Sequence, residues 1–188
     1  CESFHHIWLN EGFARFSEAI WEEHVGGQEA YINYWNNHTY YGSGTIYVED
    51  PNTTSQIFNG NLSYNKAGWV LHMLRGVMGD DAFFSTLKSY GSNDSLAYAS
   101  ASTEDFKLVC ETQSGLNLET FFQQWIYGEY YPKYALSWEI SETQELIVRI
   151  QQTQSWQYFE MPIDIKIIHS GQTTVITVQN NEPLQDYN

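Results

Sequence analysis

The feature that most limits how this chain folds is a change of apolar spacing at Tyr130–Tyr131–Pro132. Before it, apolar residues recur at helical intervals; after it, they alternate residue by residue, as in strands. A helical block followed by a block of strands predicts an α+β chain of two domains rather than alternating βα units. The boundary falls near Pro132, dividing residues 1–132 from residues 133–188.

Within the first block, Phe13, Phe16 and Ile20 share a face of a helix predicted from Phe4 to His24, with Gly26–Gly27 as its stop. A tyrosine-rich helix follows over Gln28–Tyr41, then loop from Gly42 to Asn61. The most apolar helix is predicted over Leu62–Met78. Asp80–Asp81 are placed to cap a helix to about Tyr90, Ser102 or Thr103 one to about Thr112, and Asn117 a sixth ending at Gly128. In the second block, strands are predicted at Tyr134–Ile140, Leu146–Gln152, Met161–His169 and Thr173–Gln179, too few to close a sandwich.

Charge narrows the function. Eight Lys and Arg stand against 23 Asp and Glu, a formal charge of −15, so a nucleic-acid backbone or an anionic lipid surface repels most of this chain. The longest apolar stretch, around Ala67–Leu74, contains His72 and is too short to span a bilayer. Two cysteines, Cys1 and Cys110, supply neither a disulfide framework nor a paired metal motif. The acidity and scarce cysteines fit an extracellular or periplasmic protein, and a cytosolic one as well. The chain opens on Cys1 with no start signal, and we expect it to begin inside a longer reading frame.

Two clusters carry possible chemistry. In Trp8–Leu9–Asn10–Glu11–Gly12–Phe13–Ala14–Arg15–Phe16–Ser17–Glu18, a helix presents a carboxylate, an arginine one turn later, and a second carboxylate. Glu11 can serve as a metal ligand whose charge is kept by such neighbours. The same stripe also reads as a solvated acidic face. In Ser63–Tyr64–Asn65–Lys66–Ala67–Gly68, a tyrosine at the start of the apolar helix can donate its hydroxyl to negative charge developing on a carbonyl; it also reads as a half-buried aromatic. None of the six histidines forms an HExxH motif, so no complete zinc site is written in the chain. His5 and His6 point to different sides of any regular element, and His72 reads as a core histidine.

The run Ile7–Trp8–Leu9–Asn10–Glu11–Gly12–Phe13–Ala14–Arg15–Phe16–Ser17–Glu18 resembles the segment after the zinc motif in the aminopeptidase N family of gluzincin metallopeptidases. Tyr64–Asn65–Lys66–Ala67–Gly68, followed by Leu74–Arg75, is similar to that family's tyrosine run, although many relatives have glycine where Ala67 stands. Phe121–Phe122–Gln123–Gln124–Trp125–Ile126–Tyr127–Gly128 resembles the end of its catalytic domain. The resemblance implies the helical C-terminal half of a thermolysin-like catalytic domain followed by a partial β-sandwich. It implies that Glu11 is the third protein ligand of a catalytic Zn2+, that Tyr64 is the oxyanion donor, and that Arg15 and Glu18 brace the ligand. By family spacing the second motif histidine falls about nine residues before Cys1. The expected function is then removal of N-terminal residues from peptide substrates by zinc-activated water, with this stretch alone inactive and its zinc affinity weak. Two other readings stay open: a catalytically dead relative acting as a scaffold, and a carbohydrate-active module built on the aromatics of Tyr31–Tyr47.

Overall fold

The computed structural model describes residues 1–188 and separates them into two compact units, Cys1–Glu129 and Tyr130–Asn188. Each contains one class of regular structure.

In the first unit a short 3-10 turn at Phe4–His6 leads into α1 (Trp8–Asn37). α1 is two arms broken at Gly27, whose φ of 72° and ψ of −168° leave the helix. That left-handed φ is open to glycine at little cost, and it turns the second arm away from a continuous helix. The segment read as loop contains one helical turn, α2 (Thr54–Ile57), started by a reciprocal cap between Thr53 and Gln56. A π-helical segment, Gly60–Lys66, then runs directly into α3 (Ala67–Met78). The predicted helix over Leu62–Met78 is therefore α-helical only from Ala67.

Gly79 closes α3, and α4 (Asp80–Ser92) follows without a side-chain cap. Asp80 is not a capping residue: it binds Arg75, whose Nε and Nη2 donate to its two oxygens at 2.8 and 2.9 Å. Ser102 and Asp105 form a capping box for α5 (Thr103–Ser114), and α6 (Glu119–Trp125) completes the unit. Its interior is largely aromatic. Trp8, Phe16, Trp35, Phe83, Phe106 and Phe122 are all at or below 2% exposure. Phe106 meets Trp8, Phe13 and Tyr90 edge-on at 6.0, 5.2 and 5.1 Å between centroids, the arrangement ring quadrupoles favour.

In the second unit, β1 (Tyr134–Ile140), β2 (Leu146–Gln152) and β5 (Leu184–Tyr187) form an antiparallel sheet in the order β1-β2-β5. β3 (Met161–His169) and β4 (Gln172–Asn180) form a separate hairpin. Its two-residue turn, Ser170–Gly171, has positive φ at both positions, as a twisted hairpin requires. The sheets share a small core of Val148, Ile150 and Ile165, flanked by Leu146, Ile163, Ile167, Val178 and Tyr187.

Candidate active-site seam

Glu11 occupies the first turn of α1, half-buried, and Gly12 follows it on the face that meets the start of α3. A Cβ on Gly12 would stand 2.8 Å from the Cβ of Ala67, closer than side chains tolerate. One turn on, a Cβ on Gly68 would stand 2.8 Å from Cγ of Arg15. Two glycines facing opposite ways thus let α1 and α3 approach closely, and that approach brings Tyr64, three residues before Ala67, alongside Glu11.

Tyr64 is half-buried on the π-helical segment. Burial, then the charge of Glu11 and its pull on the phenolic proton, holds the phenol above its ordinary value, and the Arg15 cation works against that shift. The hydroxyl therefore keeps its proton at neutral pH and remains a donor. Glu11, Tyr64 and Arg15 are thus electrostatic neighbours, although they come from two elements.

Arg15 donates from Nη1 to Glu18 Oε2 at 2.8 Å and to the Tyr34 hydroxyl at 3.2 Å; no hydrogen bond runs from Arg15 to Glu11. Tyr34 also donates to the Glu18 carboxylate. Burial and that bond push the Tyr34 phenol up to about 12. The Arg15–Glu18 pair is legible as an i, i+3 pair, but Tyr34 is not. In an unbroken helix, 19 residues put it about 29 Å from Arg15. The break at Gly27 folds the second arm back and makes the contact.

Lys66 points elsewhere. Its side chain is buried, and Nζ donates to the carbonyls of Gly44 at 2.8 Å and Gly128 at 3.2 Å. Burial pulls its pKa down to about 8, with Glu129 opposing. The lysine two residues after Tyr64 belongs to the scaffold rather than to the seam.

Three of the histidines, His5, His6 and His72, are held by the fold. His5 pairs through Nδ1 with the Val48 carbonyl at 2.5 Å, and His6 Nδ1 accepts from the Thr103 amide at 3.2 Å. His72 Nδ1 pairs with the Tyr31 hydroxyl at 2.7 Å among the rings of Trp35 and Trp69. The aromatics of residues 31–47 are largely spent on packing: Tyr31 and Trp35 are buried, and Tyr47 stacks on His5.

A carboxylate beside a phenol donor and a guanidinium suits one ligand position of a zinc ion. Arg15 Nε and Asn65 Oδ1, the latter one residue after Tyr64, are buried without partners, as are Trp35 Nε1, Trp69 Nε1 and Thr86 Oγ1 elsewhere in the unit. No group of three or more His, Cys, Asp or Glu side chains is placed to hold a metal ion.

Three comparisons place the chain among known proteins. The peptidase family M1 domain profile matches residues 1–125. Aminopeptidase M1-B of Oryza sativa subsp. japonica is 29% identical over 143 residues, covering 68% of this chain and 15% of that protein. Aminopeptidase N of Lactobacillus delbrueckii subsp. lactis is 26% identical over 145 residues, covering 70% of this chain and 17% of the relative. This chain thus spans only about a sixth of the length of such relatives. In fold it is similar to the crystal structure of Legionella pneumophila aminopeptidase A in complex with aspartic acid, with a TM-score of 0.79 and 15% identity over 98% of this chain and 22% of that one. With a family profile matched through the helical unit, on the residues that build the seam, the chain belongs to peptidase family M1.

Proposed function

We propose that this chain is the part of a zinc aminopeptidase that supplies the third metal ligand, Glu11, and the oxyanion donor, Tyr64. Family membership supports the peptidase class, and the single observation that carries the site assignment is the meeting of Glu11 and Tyr64 at the Gly12–Ala67 approach. Zinc, when bound, polarises the scissile carbonyl and activates the attacking water. Glu11 offers a carboxylate to the ion, and the remaining ligands belong to a segment outside these 188 residues. Tyr64 keeps its proton and donates it in a hydrogen bond to the carbonyl oxygen as negative charge builds there. Arg15, held by Glu18 and Tyr34, faces the phenol as a fixed cation without displacing it. By this reading the substrates are peptides with a free N-terminus, and the 188-residue chain alone is inactive.

Metal analysis and an aminoacyl-anilide assay test this on the chain and on the longer protein encoded around it. The chain alone should show neither stoichiometric zinc nor turnover. In the longer protein, Glu11→Gln should strip the zinc, and Tyr64→Phe should lower kcat about 10²–10³-fold while zinc stays bound. Turnover by the isolated chain, or a Tyr64→Phe enzyme of ordinary kcat, would sink the proposal.

A further inference from the structure

The π register of Gly60–Lys66 has to be enforced, because it is rarer than an α turn and survives where its surroundings hold it. Three tethers do so. Asn59 Oδ1 accepts from the amides of Asn61 and Leu62 at 3.0 and 3.1 Å. Ser63 donates from Oγ to the Ile57 carbonyl at 2.8 Å. Lys66 is the third, and it alone reaches two other segments, through the Gly44 and Gly128 carbonyls.

The receiving side is equally specific. Gly44 has a φ of 104°, which L side chains rarely adopt, and a Cβ there would lie 2.7 Å from Leu62 Cδ1 and push that side chain aside, so glycine suits the loop where it lies against the π segment. The Gly44 amide donates to Glu129 at 2.8 Å, which places an anion near the lysine. Ser63 and Lys66 are both buried, while Tyr64 between them is half-buried and faces Glu11.

We propose that Lys66 is a positioning residue: its ammonium, tied to the Gly44 and Gly128 carbonyls, holds Gly60–Lys66 in π register and so keeps the Tyr64 hydroxyl at Glu11. Relaxation of the segment to α register shifts side chains by up to one residue, and each residue of slip turns a helical side chain by about 100°. Tyr64 then leaves Glu11 although nothing in the seam itself has changed. The catalytic consequence rests on the reading of Glu11 and Tyr64 given above; the tether does not.

Lys66→Met keeps the apolar stem and removes the donors. In the 188-residue chain, hydrogen exchange followed by mass spectrometry should show amides 60–66 exchanging at least about tenfold faster, with α4 and α5 unchanged. Lys66→Gln, which retains donors on a shorter stem, should give a smaller acceleration, and it decides the matter if Lys66→Met does not fold. Unchanged exchange at 60–66, or equal acceleration throughout Cys1–Glu129, overturns the tether. In the longer enzyme, Lys66→Met should lower kcat about tenfold or more with little change in KM, and adding it to Tyr64→Phe should cost nothing further. Additive losses overturn action through Tyr64. An enzyme inactive before any substitution refutes the peptidase reading and leaves hydrogen exchange to decide the tether.

Discussion

The helical unit and the sheet unit use the same apolar residue types to different effect. In the helical unit, Phe106, Phe83 and Leu71 are fully buried, and Arg75 at the core's edge is paired with Glu23 and Asp80. In the sheet unit, Leu136, Trp138 and Ile140 share one face of β1 at 60%, 67% and 57% exposure, and Ile168 and Val175 are similarly bare. Trp138, Ile140, Leu146, Ile165 and Ile167 line an open cleft of about 490 Å³. The helical unit also leaves single apolar side chains in water, Trp21 and Leu108 at 63% among them, but it surrounds a fully buried aromatic interior, whereas the sheet unit leaves whole strand faces bare.

The largest expected effect lies in the aromatic core. Phe106→Ala should cost about 3–5 kcal/mol, read from chemical denaturation of the helical unit, because it removes a ring packed by three others. A cost below about 1 kcal/mol would mean that this core is no better packed than the sheets.

Acid gives the next effect. Burial, then the Arg75 charge, pulls the His72 pKa down to about 4, with Glu23 opposing. The unfolded chain takes up that proton near pH 6.5, so the folded state is fully favoured above about 6.5 and loses up to about 3 kcal/mol as pH falls to 4. Denaturation midpoints of wild type and His72→Gln should diverge at pH 7 and converge toward pH 4.5. Parallel curves would show that His72 contributes nothing to acid sensitivity.

The smallest expected change in stability is at Trp138→Ser, within about 0.5 kcal/mol, because the ring is already in water. Solubility should instead rise, since a flat apolar edge strand is a template for association. A large stability loss would show that the face is covered in solution.

How far the sequence was legible follows the same physics. Periodicity reports which face is apolar, so it found the first arm of α1, the body of α3 and four strands, while α4, α5 and α6 were placed from candidate capping residues, of which only Ser102 is the N-cap of its helix. It is blind to hydrogen-bond register, and the π segment ahead of Ala67 went unread. It also misses elements only one or two periods long, where a pattern has no room to repeat. β5 has four residues, and α2 was announced only by the Thr53–Gln56 capping box. At the seam, Glu11 and Tyr64 stand out as residue types, whereas Tyr34 and Lys66 act through contacts made by the folded chain, at Gly27 and Gly44.

The place where α1 crosses Ala67 has room for one methyl group, and Ala67 already provides it. A second, added at position 12, would force the two backbones apart and lengthen the reach from Glu11 to Tyr64. The exchanged pair, alanine at 12 with glycine at 67, would return the same total bulk. The gap between an acid and a phenol is set here carbon against carbon: position 12 can take a methyl only if position 67 gives one up, and even then the new carbon would stand 3.2 Å from the backbone of residue 67.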